Sequence, residues 1–229
     1  TTPEQGTTTY SYNQDDTINV VTDARNATTT LGYNNRHLVT SLTYGVPGGV
    51  AATPNVSFGY DSAGNRTSMN DGLGSVSYAY NTLSQMTSET RTFTGVGSFT
   101  LSYPSYNLAG QLTNITNHWG AQVGYSYDKT GRTIGVTGAG YAGVTSYVNS
   151  ISYRAFAAKQ VAYGNGRTLS LQYNNRMQMT RWDVPGVMGW EYAYNYLGEN
   201  TGRVTYSKNL YDATLDRSYE YNSRGRLVV

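Results

Sequence analysis

The chain of 229 residues contains no cysteine. That excludes a disulfide framework, a zinc–thiolate site and a thiol nucleophile. It has only two histidines, His37 and His118, in separate stretches. Two imidazoles cannot form a three-histidine metal site, and both read as structural or surface residues. No metal and no cofactor are expected. No run of 18 apolar residues occurs, so no membrane span is expected. There is no initiator methionine and no secretory leader pattern, and Thr1-Thr2-Pro3-Glu4 reads as an internal start. Charge is scarce as well. Charged residues make 13% of the chain and the net charge is +2. With acids interspersed among the bases there is no basic patch, which argues against nucleic acid as a partner. No segment keeps a helical period, and glycine and asparagine are too frequent for helices.

Ile, Leu, Val and Phe together make about 17% of the residues. So low a fraction signals disorder when net charge is high. Here the net charge is small, and 23 tyrosines take over the apolar role. Tyrosine packs its ring while its hydroxyl stays hydrated or bonded. Such a composition suits a thin sheet with two accessible faces better than a thick core.

The tyrosines are not scattered. One pattern recurs ten times, anchored at Tyr12, Tyr33, Tyr60, Tyr80, Tyr106, Tyr127, Tyr153, Tyr173, Tyr194 and Tyr221. The steps between anchors are 21, 27, 20, 26, 21, 26, 20, 21 and 27 residues. The next residue is Asn seven times, Asp at Asp61 and Asp128, and Arg at Arg154. Glycine stands four after the anchor at Gly64, Gly110, Gly131, Gly198 and Gly225. Asp16, His37, Ser84, Ala157 and Met177 stand there in the other units. The position two before the anchor is apolar in every unit, as a face buried at period two requires. An Asx residue starts a turn by bonding the backbone two residues on, and glycine supplies a left-handed conformation where the turn closes. A fixed period of 20–50 residues marks a repeat architecture. About 21 residues hold two strands and two turns, so each unit is one hairpin and the chain holds roughly 20 strands. Residues 1–9 read as a lead-in strand. Long connections at Gly45–Pro54, Gly95–Gly97 and Gly138–Gly143 account for the longer steps and should leave the strip from one edge. Residues 1–229 read as a single repeat region.

Other motifs weaken on inspection. Gly138-Ala139-Gly140-Tyr141-Ala142-Gly143 fits G-x-G-x-x-G, but a strand-like run and not a helix follows it, so it reads as a hairpin tip. Asp61 and Asp128 invite comparison with paired catalytic carboxylates. They occupy a position that asparagine fills seven times, and asparagine is neither acid nor base. Thirteen of the 16 basic residues are arginines, several just past a turn, such as Arg66, Arg132, Arg203 and Arg226. Stacking on neighbouring tyrosine rings is the expected role. Trp119, Trp182 and Trp190 are the candidates for carbohydrate stacking.

The clearest copies are Tyr60-Asp61-Ser62-Ala63-Gly64, Tyr127-Asp128-Lys129-Thr130-Gly131-Arg132 and Tyr221-Asn222-Ser223-Arg224-Gly225-Arg226-Leu227. In tandem, from about Tyr10 onward, they resemble the YD repeats of the RHS family. That family includes bacterial RHS polymorphic toxins, C components of insecticidal toxin complexes, wall-associated proteins and teneurins. The resemblance implies an all-β fold: tandem hairpins forming a long curved antiparallel strip, a segment of a spiral shell. It implies structural motif roles for Tyr60, Asp61, Gly64, Arg66, Tyr106, Asn107, Gly110, Tyr127, Asp128, Gly131, Arg132, Tyr194, Asn195, Gly198, Tyr221, Asn222, Gly225 and Arg226. It further implies a fragment of a secreted or surface bacterial protein, without catalytic activity, whose wall encloses or presents a C-terminal effector. Its partners would be neighbouring repeats, that effector, and further strands recruited to open edges. The family's terminal D-P-x-G-L-type cleavage motif has no match, since Asp183-Val184-Pro185-Gly186 has the wrong order. The alternative reading is a surface adhesion module that binds glycan or protein through Tyr and Trp.

Overall fold

A computed structural model describes residues 6–196 and 198–228. Residues 1–5 of the expected internal start and lead-in, and Val229, lie outside the described residues. The described residues hold 23 strands and one short 3-10 turn, Ala213–Leu215. The expected all-β class holds.

The chain forms two compact units. The first runs to Tyr106 and adds Ile115–Gly120; the second holds Asn107–Asn114 and everything from Ala121. In the first, Thr9–Tyr12 pairs with Ile18–Thr22, and that strand with Thr28–Tyr33. The ladder continues through Val39–Gly45, Val56–Tyr60, Arg66–Asp71, Gly74–Tyr80, Met86–Phe93 and Gly97–Tyr106. Every pairing is antiparallel and joins strands adjacent in sequence. In the second unit Gln122–Tyr127 pairs with Thr133–Ala139. Ser146–Arg154, Ala157–Tyr163, Thr168–Tyr173, Met179–Val184, Met188–Ala193, Tyr206–Asn209 and Arg217–Ser218 follow in order. Asn195–Tyr196 with Glu199–Asn200, and Glu220–Tyr221 with Leu227–Val228, form small separate hairpins. Because consecutive antiparallel strands reverse direction, alternate turns share an edge. Within each unit the turns after the anchor tyrosines lie on one edge and the long connections on the other.

Period-two side-chain alternation makes the two faces of the sheet chemically different. Across five strands of the first unit one row reads Phe58, Met69, Val76, Arg91, Phe99. The adjacent row on the opposite face reads Gly59, Ser68, Ser77, Thr90, Thr100. The second face is thus small and hydroxylated, and Thr90 and Thr100 share a 2.9 Å hydrogen bond across it. A Cβ on Gly59 would lie 2.5 Å from the Ser68 hydroxyl oxygen, so the row is filled with no room to spare. Only Val76, Gly135, Gly189 and Ser207 are fully buried among the described residues. The sheet therefore lacks a thick core, as its composition implies, and backbone pairing with tyrosine packing must hold it.

Five units lack glycine four after the anchor, yet four of them keep the same turn. Asp16, His37, Ser84 and Met177 sit at φ of 61°, 59°, 59° and 60°. The turn's own hydrogen bonds impose this conformation on residues that disfavour it by about 1–2 kcal/mol. Ala157 does not follow. Arg154 cannot start an Asx turn, and the chain instead closes a two-residue loop at Ala155-Phe156, with Ala155 at φ 51°. Met177→Gly is expected to raise stability by about 1 kcal/mol by removing that strain. A shift of the urea midpoint to higher concentration checks this, and a fall would show that the Met177 side chain packs productively.

Candidate functional site

The recurring turn is built from four hydrogen bonds. In the Tyr127 unit the Asp128 amide donates to the Arg132 carbonyl, and the Gly131 amide to the Asp128 carbonyl. Asp128 Oδ1 then accepts from the amides of Thr130 and Arg132, at 2.8 and 3.0 Å. Asn34, Asn81, Asn107, Asn174 and Asn222 make the same set. Asp61 accepts from the Asn65 amide and side chain. The turn thus needs an Asx oxygen as acceptor and not a charge. Asn195 departs: it pairs with Asn200 in a short hairpin, with Gly198 at φ 85°. Asp23, on the opposite edge, builds the same turn with the Arg25 and Ala27 amides.

Beside seven of the anchors the register slips by one residue. Tyr127 faces Thr133 while Ser126 faces Gly135, so Ile134 bulges. The same slip precedes Tyr12, Tyr33, Tyr60, Tyr80, Tyr153 and Tyr173. A bulge interrupts the ladder and leaves backbone groups without strand partners. The anchor tyrosine of the next unit answers this. Tyr33 donates its hydroxyl to the Ile18 carbonyl, Tyr60 to Val39, Tyr80 to Arg66 and Tyr106 to Met86. In the second unit Tyr127 donates to Leu112, Tyr153 to Thr133, Tyr173 to Ala158, Tyr194 to Met179 and Tyr221 to Val204. All nine distances lie between 2.5 and 2.9 Å. The repeat is therefore held by a hydroxyl-to-carbonyl link from each hairpin to the one before it.

Arginine and glutamine add rungs along the turn edge. Arg36 donates to the carbonyls of Asp61 and Ser62 at 2.6 and 2.7 Å. Gln111 reaches the Gly131 carbonyl, Arg132 that of Ala155, Arg154 that of Tyr173 and Arg176 that of Asn200. Sequence reading missed Arg36, Gln111 and Arg176; the available signal was a long donor three or five after an anchor. Arg132 also stacks 4.5 Å from the Tyr153 ring centroid, Arg203 5.5 Å from Tyr221, and Arg66 4.6 Å from Phe58. At Gly225 a Cβ would fall 2.0 Å from the Arg203 guanidinium.

The Asp128 carboxyl is held well below the usual range, chiefly by the Thr130 hydroxyl, with the Arg132 amide and guanidinium behind it. Asp15, Asp23, Asp61, Asp71, Asp212 and Asp216 are lowered as well, each by hydrogen bonds. A carboxyl lowered in the fold contributes stability above its unfolded value near 4, and loses it as pH falls below that. Stability should therefore be flat from pH 7 to about pH 4.5 and fall below pH 4. Asp128→Asn should fold at pH 7 and show a shallower acid slope, since the ion pair it loses is partly exposed and weak. Denaturant midpoints against pH check both; a midpoint independent of pH, or an unfolded Asp128→Asn at pH 7, would contradict the turn-acceptor role.

The three tryptophans do not share an environment. Trp182 and Trp190 face each other across paired strands of the second unit, and the Trp182 indole N–H donates to the Tyr192 hydroxyl at 3.0 Å. Trp119 sits at a turn of the first unit and is 76% exposed. No group of three His, Cys, Asp or Glu among the described residues could hold a metal. No helix there is long and apolar enough to cross a membrane. Gly138–Gly143 forms a hairpin connection into Ser146–Arg154, with the Val144 amide donating to the Tyr141 carbonyl.

The sequence profile of the teneurin YD-shell family matches residues 4–140. The chain belongs to that family. The same fold occurs within solved structures of TcdB2-TccC3. A crystal structure of TcdB2-TccC3 superimposes with a TM-score of 0.82 at 16% identity, over 98% of this chain and 13% of that one. The TcdB2-TccC3 structure without the hypervariable C-terminal region gives 0.82 at 15%, over 98% and 13%. The Tc holotoxin pore of Photorhabdus luminescens gives 0.79 at 15%, over 99% and 13%. The chain thus spans about 13% of the length of the solved chains it matches. Comparison with curated proteins returns no match.

Proposed function

We propose that the chain is wall: a non-catalytic YD-repeat segment, residues 1–229, of a shell that encloses or presents an effector. The observation that supports this reading is the series of nine tyrosine hydroxyl links. The anchor and turn residues are spent on joining hairpin to hairpin, which is the work of a wall. Asp61 and Asp128, the carboxylates that could suggest catalysis, accept turn amides. Tyr60, Tyr106, Tyr127, Tyr194 and Tyr221 join neighbouring hairpins. Asn107, Asn222, Gly64, Gly110, Gly131 and Gly225 close turns, and Arg66 and Arg132 stack on aromatic rings. The partners are neighbouring repeats and the effector, in a secreted or surface protein. Thr9–Tyr12, paired on one side only among the described residues, offers an edge for a further strand.

Electron cryo-microscopy of the natural gene product tests the reading. The expected result is YD hairpins lining a closed chamber that protects a C-terminal segment from protease. Hairpins open to solvent on both faces, with no chamber, would overturn it.

A further inference from the structure

Acids and bases are interspersed along the sequence, but the fold sorts them and gathers a basic patch that the sequence does not show. The first unit carries seven acids and four bases, the second seven acids and twelve bases. The excess of the second unit lies along one edge, the row of turns 107–110, 128–131, 155–156, 174–177 and 222–225. Lys129, Arg154, Arg176, Arg203, Arg224 and Arg226 are exposed there. Arg132 sits among them and, among the described residues, is the one member of the row paired with a carboxylate, that of Asp128 at 2.7 Å. Glu199 is the other acid of the row. Away from this row the acids and bases of the unit are equal in number.

The guanidiniums of Arg154 and Arg176 donate to the Tyr173 and Asn200 carbonyls. A carbonyl bears no net charge, so these bonds fix the groups without neutralising them, and each guanidinium keeps further donors. Between the charges stand two apolar tips. Leu108 is wholly exposed and Phe156 is 77% exposed. They flank turn 128–131. Gln111 ties the Leu108 turn to it through the Gly131 carbonyl, and Arg132 ties it to the Phe156 loop through the Ala155 carbonyl. One hairpin step is two strand spacings, so the tips stand about 20 Å apart with Lys129 between them. The same edge of the first unit also exposes a leucine, Leu83. There Asp15, Asp16 and Asp61 outnumber Arg36 and Arg66.

We propose that this edge of the second unit docks on an anionic lipid surface. Leu108 and Phe156 enter the boundary between headgroups and acyl chains, while Lys129, Arg154, Arg176 and Arg224 meet lipid phosphates. Apolar side chains flanked by cations are what such a boundary stabilises, because burial and attraction to anionic headgroups add. Nucleic acid or an acidic polypeptide would answer the charges but leave both apolar tips against charged groups or in water. Docking of this kind needs no chamber, so its failure leaves the wall reading untouched.

Co-sedimentation of the whole chain with vesicles tests this, using phosphatidylcholine alone and phosphatidylcholine with phosphatidylglycerol. Binding to the anionic vesicles alone is expected, and it should weaken as salt rises. Lys129→Gln combined with Arg224→Gln should weaken it by roughly 25-fold, about fivefold per charge. Neither side chain holds a neighbouring turn, so the circular dichroism spectrum should not change. Leu108→Ser combined with Phe156→Ser should weaken it about tenfold or more. Arg167→Gln removes a charge from the opposite edge and should bind as the parent does. No binding to anionic vesicles, equal binding to phosphatidylcholine, an equal loss in Arg167→Gln, or undiminished binding by either folded double variant would each overturn the proposal. Double-stranded DNA that binds more tightly than the anionic vesicles would overturn it in favour of nucleic acid.

Discussion

Tyr127→Ala is expected to destabilise the chain by about 3 kcal/mol. Two losses combine. The ring is half-buried on the same face as Tyr125, and its removal exposes to water the apolar surface it covers. The hydroxyl bond to the Leu112 carbonyl goes as well, leaving that group without its partner. Tyr127→Phe isolates the second loss and should cost about 1 kcal/mol. Urea denaturation monitored by circular dichroism separates the two. Equal stability of the alanine variant and the parent would mean that the anchors decorate the sheet and do not hold it.

Gly74→Ala should be worse, at more than about 3 kcal/mol, enough to unfold a marginal domain. Gly74 opens its strand at φ 139°, a conformation that only glycine adopts easily. A Cβ there would stand 2.1 Å from the Thr92 carbonyl oxygen, which belongs to the paired backbone of Met86–Phe93 and cannot step aside. Gly95→Ala is the control. Gly95 has φ 77° with nothing within 4 Å, so only the conformational cost of about 1 kcal/mol applies. Soluble yield and thermal midpoint of the pair check the argument, and similar midpoints would refute it.

Much of this architecture is legible in the sequence, because the turn is encoded locally. A tyrosine, an Asx acceptor and a glycine at fixed offsets define where the chain reverses, and period two defines the faces. What glycine does at Gly64 is done at Met177 by a residue that gives no local sign of it, since the conformation is imposed by the turn's hydrogen bonds. The bulge was not legible either. The extra residue is Asn19, Thr40, Thr67, Thr87, Ile134, Lys159 or Thr180, types common throughout the chain. Without the bulge, the partner of each tyrosine hydroxyl could not be named, because it lies 14 to 21 residues back in the preceding hairpin. The tryptophans show the same limit. Nothing local distinguishes Trp119 from Trp182, and only the register that sets Trp182 against Trp190 does so.

The central claim is that the hydroxyls of the anchor tyrosines, and not merely their rings, join one hairpin to the next. A Tyr→Phe series at Tyr33, Tyr60, Tyr106, Tyr127, Tyr173 and Tyr194 tests it, with the exposed Tyr141 as control. Unfolding free energies from denaturant titration are the readout. Each anchor variant is expected to lose about 0.5–1.5 kcal/mol and the control nothing. Anchor variants as stable as the control would contradict the account.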